Sequence, residues 1–279
     1  MFAIPHPGIP RLITRFVVGC LWSLATLLTV SAEEPKSAPA QDKLATPRVT
    51  PLPPPQKPVN YADPPRDYDT VKAAEWTIHV ERQLLTDAPE FAKEAQERLE
   101  KNLAVVFKLL PADSRDRLKN LEFYLMYGPK ARGGGRDNGL EYFQKHAPDH
   151  DRQLDPRWRN CIVIYSAENY AWISDLWALK VLVHEYAHAH QLLQWPEDQP
   201  DILRAWDQAT SAGLYLNVES REGNTIKKAY AAVNQLEYFA ELSCIYFVGC
   251  EYHPFDRATL ATYDPVGYAL VEKMWGIKK

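Results

Sequence analysis

Cysteine is scarce in this sequence, with only 4 among 279 residues. One of them lies in the N-terminal apolar run described below, which leaves Cys161, Cys244 and Cys250 for the folded part. Three cysteines form at most one internal pair, for which Cys244 and Cys250 are nearest in sequence, and no two have C-x-x-C spacing. The count excludes a disulfide scaffold, and burial as small apolar side chains is an equal alternative to a pair.

An excess of basic residues is also missing. The 32 Lys and Arg are outnumbered by 36 Asp and Glu, which gives a net charge of −4. Such a chain lacks the basic surface expected of a nucleic-acid-binding protein, so we expect no nucleic-acid partner. The glycine run at residues 133–135 lacks the G-x-x-x-x-G-K-[ST] pattern of a phosphate-binding loop and indicates a flexible surface loop.

The N-terminal apolar run is too short to be a membrane span. It covers residues 16–30, about 15 residues, whereas roughly 20 are needed to cross a bilayer. Arg11 and Arg15 precede it, and the small residues Ser31 and Ala32 end it, as in a signal peptide. We predict a cleaved signal peptide at residues 1–32 and a mature chain exported to the periplasm, the cell envelope or the medium. A lipoprotein cleavage site at Cys20 is the alternative, although most of the apolar run follows it.

Composition changes again near residue 65. Residues 33–65 hold 10 of the 22 prolines, and such a segment favours extended conformations and buries too little apolar surface to fold. We predict a disordered linker there, with a pro-segment as the alternative. One folded domain is then predicted at residues 66–279, without a stable membrane span.

The pattern H-E-x-x-H at residues 184–188 is the most informative in the chain. On a helix, His188 lies one turn beyond His184 and within about 40° of it, so both imidazoles can bind one metal ion. A catalytic zinc site uses three protein ligands and a water, and zinc lowers the pKa of that water to about 7. We predict His184 and His188 as Zn²⁺ ligands and Glu185 as the general base. Two histidines that meet by chance on an ordinary helix are the alternative.

The surroundings of this pattern are typical of a helix. Ser174 and Asp175 are N-cap candidates, residues 176–193 contain no glycine or proline, and Pro196 ends the segment. His190 lies off the face that carries the two predicted ligands. We interpret it as a supporting or surface histidine and not as a ligand.

The third metal ligand must come from another segment. One common arrangement places a glycine and a histidine three and six residues after the second histidine, but Gln191 and Gln194 stand there. The other arrangement takes a glutamate from a later helix, for which Glu237 is the candidate. Its alternative role is a capping box with Asn234 as N-cap. Glu241 follows one turn later on the same face, where it can hydrogen-bond the free ring nitrogen of a ligand histidine.

Hydrophobic periodicity predicts both helices and strands. We predict an α+β fold of the zincin-like type, with a small mixed sheet, an active-site helix and a mostly helical C-terminal part. Residues 161–170, a strand and a following loop, are assigned to border the cleft and pair with an extended substrate. The predicted strands are residues 77–80, 121–126 and 161–165. The predicted helices are residues 88–110, 176–193, 201–212, 234–247 and 267–275, with a further helical turn at residues 114–118.

The two motifs together resemble a known family. H-E-Y-A-H at residues 184–188, followed by Y-A-A-V-N-Q-L-E-Y-F-A-E at residues 230–241, is similar to the protease domain of anthrax toxin lethal factor and its relatives, a branch of the gluzincin peptidases. The likeness covers roughly residues 160–275. The segment W-T-I-H-V at residues 76–80 also resembles the start of a group of exported bacterial proteins predicted to be metallopeptidases. Nothing upstream resembles the toxin's receptor-binding or substrate-docking regions, so its substrate preference is not carried over.

The resemblance implies a zinc metallopeptidase that hydrolyses peptide or protein substrates. By the same resemblance, Tyr230 donates a hydrogen bond to the oxyanion or leaving group in the transition state. Two other functions stay open: a zinc-binding module of the cell envelope without proteolytic activity, and a metal-dependent amidase that acts on cell-wall material. The sequence does not distinguish peptide from cell-wall substrates, and it does not indicate the oligomeric state.

Overall fold

The computed structural model describes residues 59–145 and 153–278 of the protein. The predicted signal peptide at residues 1–32 and most of the predicted linker lie outside the described residues. Tyr61 belongs to the folded domain, because it is buried against Trp158 and Tyr165, with ring centroids 4.9 and 5.7 Å away. The domain's core therefore includes a residue upstream of residue 66, its predicted start.

The described chain is an α+β structure with a five-stranded mixed sheet and a separate two-stranded hairpin. The strands are β1 (Tyr68–Ala73), β2 (Trp76–Glu81), β3 (Glu122–Leu125), β4 (Leu140–Phe143), β5 (Cys161–Ile164), β6 (Leu216–Glu219) and β7 (Thr225–Lys228). The helices are α1 (Arg82–Asp87), α2 (Pro89–Leu109), α3 (Ala112–Leu118), α4 (Ala167–Trp172), α5 (Asp175–Leu192), α6 (Pro200–Ser211), α7 (Gln235–Phe247), α8 (Arg257–Tyr263) and α9 (Pro265–Trp275). Short 3₁₀ turns occupy Gly128–Lys130 and Tyr230–Ala232.

The large sheet has the strand order β1-β2-β3-β5-β4. Its three central strands are parallel, and β1 and β4 pair antiparallel at the two edges. The chain between β2 and β3 returns through α1, α2 and α3, as a parallel connection requires. Strand β5 is short and apolar because both of its faces are covered, and every one of its residues is buried.

Helix α5 lies at the centre of the fold. It packs against α2, α3 and α7 and against the edge strand β4. Most of its side chains from Ala178 onward are buried, so it is enclosed nearly all round and shows only a weak apolar stripe. Helix α2 is amphipathic instead, with Ala95, Leu99 and Leu103 on its buried side. In the described ranges, no helix combines the length and the apolar character needed to cross a bilayer.

All the predicted strands and helices are confirmed, and their ends differ from the structure by no more than two residues. The prediction omits β1, α1, β4, the β6–β7 hairpin and α8. Strand β4 has only four residues, too few to show an alternating pattern, and β1 is largely polar because it is an exposed edge. The loop predicted at residues 166–170 is wrong, since α4 begins there with the Ser166 hydroxyl accepting a hydrogen bond from the backbone N–H of Asn169.

The three cysteines of the described chain are all free and buried. The possible pair between Cys244 and Cys250 is therefore not formed. Cys244 donates to the carbonyl oxygen of Lys180 at 3.3 Å, and Cys250 lies 3.2 Å from a carboxylate oxygen of Glu251. Burial as small side chains, the second expectation, is what the structure contains.

His190 is a buried packing residue, and its interpretation as a possible surface histidine is wrong. Its ring stacks on Trp275 at 3.9 Å between centroids, and Nε2 donates to the carbonyl oxygen of Met274 at 2.9 Å. The side-chain amide of Gln194 approaches Nδ1 at 3.2 Å. These contacts suit the neutral ring, and burial lowers the pKa of His190 to about 4. The residue thus joins α5 to α9 and is not directed at the face that carries the two predicted ligands.

We expect His190 to make the domain unstable in acid. Its folded-state pKa of about 4 lies below the ordinary value of 6.5, so its contribution is complete above pH 6.5 and is lost as the pH falls toward 4. Between pH 7 and 4.5 the unfolding free energy of the wild type should fall by about 2 to 3 kcal/mol more than that of His190→Gln. Urea unfolding of both proteins with a chelator present measures this, and equal losses would contradict it.

Candidate metal centre

Helix α5 carries three of the predicted site residues. Its first turn is capped by Ser174, whose hydroxyl accepts a hydrogen bond from the backbone N–H of Trp177 at 3.3 Å. Two and a half turns later, His184 and His188 lie one above the other, with ring centroids 4.7 Å apart. His184, Glu185 and His188 are only 5%, 2% and 8% exposed. The helix therefore presents two imidazoles and a carboxylate inside the protein.

Helix α7 brings two further carboxylates to the same place. Asn234 caps it, with its side-chain oxygen accepting from the backbone N–H of Glu237 at 2.9 Å. The Glu237 side chain does not complete a capping box with Asn234. Its Oε2 lies 2.9 Å from Nε2 of His184 and 3.4 Å from Nε2 of His188. The N-cap hydrogen bond of the capping-box alternative is thus present, but the Glu237 carboxylate is directed at the histidines and not at Asn234.

The three atoms closest to one another have the spacing of a zinc site. The Nε2 atoms of His184 and His188 are 3.1 Å apart, and each is within 3.4 Å of Oε2 of Glu237. A tetrahedral ion with ligands at 2.0 to 2.1 Å separates those ligands by about 3.3 Å. The donor set of two imidazole nitrogens and one carboxylate oxygen fits Zn²⁺ in both chemistry and spacing.

Glu241 supports the first of these histidines. Its Oε1 lies 3.0 Å from Nδ1 of His184. Burial acts to raise the pKa of Glu241, but the charge of Lys180 and the contact with His184 lower it to about 2, so the carboxylate is ionised. A carboxylate only accepts hydrogen bonds, hence Nδ1 is the donor, and the neutral ring has its lone pair on Nε2, facing Glu237.

The electrostatics of the cluster favour a positive charge at its centre. Burial by itself lowers the pKa of His184, yet Cys244, Glu237 and Glu241 raise it well above the usual range. For Glu237, burial raises the pKa, and the charges and hydrogen bonds of His188 and His184 lower it far below the usual range. A proton or a metal ion bound to Nε2 of His184 would be stabilised by the same carboxylates, Glu237 and Glu241.

Glu185 lies beside the three predicted ligands without being one of them. Its Oε2 accepts a hydrogen bond from the backbone N–H of Tyr142 at 2.8 Å. Burial raises its pKa, while the nearby His184 and His188 act in the opposite direction. A carboxylate whose pKa is raised binds a proton more tightly than an ordinary glutamate, which suits a general base.

Tyr230 also lies next to the histidine pair. It begins the 3₁₀ turn Tyr230–Ala232 that leads into α7, and its ring centroid lies 5.7 Å from that of His184. Burial and the charge of Glu237 raise its pKa well above the ordinary value. The phenol therefore keeps its proton at neutral pH and can donate it in a hydrogen bond.

Three residues near the site were missed by the sequence-based prediction. The backbone N–H of Tyr142 on β4 donates to Glu185. Lys180 and Tyr252 both contact Oε2 of Glu241, the oxygen that does not face His184, and Lys180 Nζ lies 3.0 Å from it. Lys180 precedes His184 by four residues, so helical spacing is a signal that could have found it. No sequence signal indicates Tyr142 or Tyr252, because both come from other elements.

The described residues contain two other groups with metal-binding side chains. One joins His184 to Glu241 and Cys244, and the other joins Glu241 to Cys250 and Glu251. In the first, Nδ1 of His184 already donates to Glu241. In the second, the ammonium of Lys180 contacts both carboxylates and takes the place of a cation. His184, His188 and Glu237 therefore form the best metal centre in this part of the chain.

No family model and no curated protein matches this chain. The resemblance to the lethal factor branch of the gluzincins thus remains a prediction from the motifs at residues 184–188 and 230–241. The structure brings every residue of those two motifs that was predicted to be functional into one cluster: His184, Glu185, His188, Tyr230, Glu237 and Glu241.

Proposed function

We propose that this protein is a zinc-dependent peptidase with a zincin-like fold. His184, His188 and Glu237 bind Zn²⁺, and Glu185 is the general base. The observation that carries the proposal is the convergence of three ligand atoms within 3.4 Å of one another, beside a buried glutamate that is not among them. A site that only binds metal has no need of that additional carboxylate.

Each residue of the cluster has a defined task in amide hydrolysis. Zinc, when bound, polarises the substrate carbonyl and lowers the pKa of water. Glu185 takes the proton of the attacking water and delivers it to the nitrogen of the leaving amine as the C–N bond breaks. Tyr230 donates a hydrogen bond to the carbonyl oxygen as that oxygen gains negative charge.

The edge strand β4 is the proposed partner for an extended peptide. Among the described residues it pairs only with β5, on one side, and its Tyr142 N–H contacts the general base. A peptide added along the free edge would extend the sheet and pass the metal centre. The earlier assignment of this role to residues 161–170 is wrong, because β5 lies between β3 and β4 and has no free edge. The signal peptide predicted at residues 1–32 would place the reaction outside the cytoplasm.

Zinc content and substrate turnover test the proposal together. We expect about one zinc per chain by elemental analysis of the mature protein, purified without chelators, and loss of that zinc in Glu237→Ala. Hydrolysis is then measured on a mixture of peptides and on peptidoglycan. Turnover of peptides supports a peptidase, turnover of peptidoglycan alone supports an amidase, and zinc without turnover supports a binding module. A wild type without zinc would contradict the metal centre itself.

A further inference from the structure

Lys180 is a buried charged residue that the proposed reaction does not use. It lies on α5 one turn before His184 and is only 3% exposed. Its ammonium contacts both carboxylate oxygens of Glu251, at 2.7 and 2.8 Å, and Oε2 of Glu241 at 3.0 Å. Burial by itself lowers the pKa of Lys180, but Cys250, Glu241 and Glu251 raise it well above the usual range. The side chain is therefore a buried cation.

A positive charge one helical turn from His184, a proposed metal ligand, needs an explanation. Two cations repel each other, and electrostatics alone would make Lys180 weaken the binding of Zn²⁺. The ammonium does not face the predicted ligands, however. Glu241 lies between, with Oε2 toward Lys180 and Oε1 toward Nδ1 of His184. The lysine can therefore affect the metal ligand through the orientation of this one carboxylate.

A second donor holds the same oxygen. Tyr252, which lies outside both sequence motifs, donates its hydroxyl proton to Oε2 of Glu241. Burial and Glu241 raise the pKa of Tyr252 well above its usual value, so the phenol stays protonated. The ring of Tyr252 also lies 5.1 Å from the Lys180 ammonium. One oxygen of Glu241 is thus fixed by two donors, which leaves the other to accept from His184.

We propose that Lys180 is a positioning residue of the metal centre: together with Tyr252 it fixes the Glu241 carboxylate, which orients His184 and keeps Nε2 directed at the metal. The inference rests on the proposed zinc site. Partners of this kind, one step removed from the ligands, change metal affinity by about 10- to 100-fold when they are removed. Positioning and simple charge repulsion make opposite predictions, because loss of Lys180 weakens zinc binding in the first case and strengthens it in the second.

The test measures zinc affinity by competition with a chromophoric chelator. Lys180→Met alone would leave two buried carboxylates without their partner, so it is combined with Glu251→Gln, which removes one charge of each sign. We expect this double variant to bind zinc about 10- to 100-fold more weakly than Glu251→Gln alone. In a Glu241→Gln background, adding Lys180→Met should cause no further loss, because the lysine acts through Glu241. Thermal unfolding without zinc confirms that each variant is folded.

Each outcome decides between the possibilities. An affinity that is unchanged or increased when Lys180→Met is added to Glu251→Gln overturns the positioning role and leaves the proposed peptidase intact. An equal loss with and without Glu241 also overturns it, since the lysine then acts by another route. A wild type that binds no zinc overturns both this inference and the proposed function.

Discussion

Glu185→Gln is expected to abolish peptide hydrolysis while zinc stays bound. The amide has the size of the carboxylate, and its oxygen can still accept the hydrogen bond from the Tyr142 N–H. The three predicted ligands are untouched, but a neutral amide cannot take a proton from water. Loss of a general base lowers rates by about 10²- to 10⁴-fold. Initial rates on a peptide substrate, with zinc content measured on the same samples, test the expectation.

Glu75→Gln is the matched control for this substitution. Glu75 lies in the turn between β1 and β2 and is exposed. The same change of charge there should leave both zinc content and turnover at the wild-type level. Full activity in Glu185→Gln would show that Glu185 is not the general base and would contradict the proposed mechanism. Loss of zinc together with activity would assign Glu185 to metal binding.

Zinc is expected to stabilise the folded domain strongly. The ligand atoms converge only because α5 and α7 pack together, so the unfolded chain offers no comparable site. When free zinc exceeds its dissociation constant about 1,000-fold, the unfolding free energy should rise by about 4 kcal/mol. Urea unfolding with excess chelator and with excess zinc gives this difference directly.

The contribution of the proposed ligands is isolated by Glu237→Gln. This variant should unfold at nearly the same urea concentration with zinc and with chelator, because one ligand is lost. Glu94→Gln on α2, which changes an exposed glutamate outside the cluster, should keep the full zinc effect. If zinc stabilised Glu237→Gln as much as the wild type, the ion would be bound elsewhere in the protein.

Local sequence patterns predicted the elements that carry the site. The uninterrupted segment after Ser174 and the four-residue spacing of His184 and His188 follow from helix geometry, which acts over neighbouring residues. Asn234 marked the start of α7 for the same reason, because its side chain caps a backbone N–H three residues later. Such signals do not depend on the rest of the fold.

The elements that were missed have weak local signals. Strand β4 forms because β5 offers a partner, and its four residues show no period by themselves. Helix α4 has six residues and was interpreted as a loop, although Ser166 is an N-cap residue. His190 was placed off the ligand face correctly, but its burial depends on Trp275 from the last helix, 85 positions later in the chain. Contacts of this kind are set by packing between distant segments.

By itself, the sequence determined that one helix presents His184, Glu185 and His188 together, because their spacing matches the helical turn. It also indicated a later glutamate as the predicted third ligand. Only the tertiary structure decided that Glu237 comes within 3.4 Å of both imidazoles, that the Tyr142 N–H meets Glu185, and that Lys180 contacts Glu241. These contacts join segments that are tens of residues apart, and the packing of α7 and the sheet edge on α5 creates them.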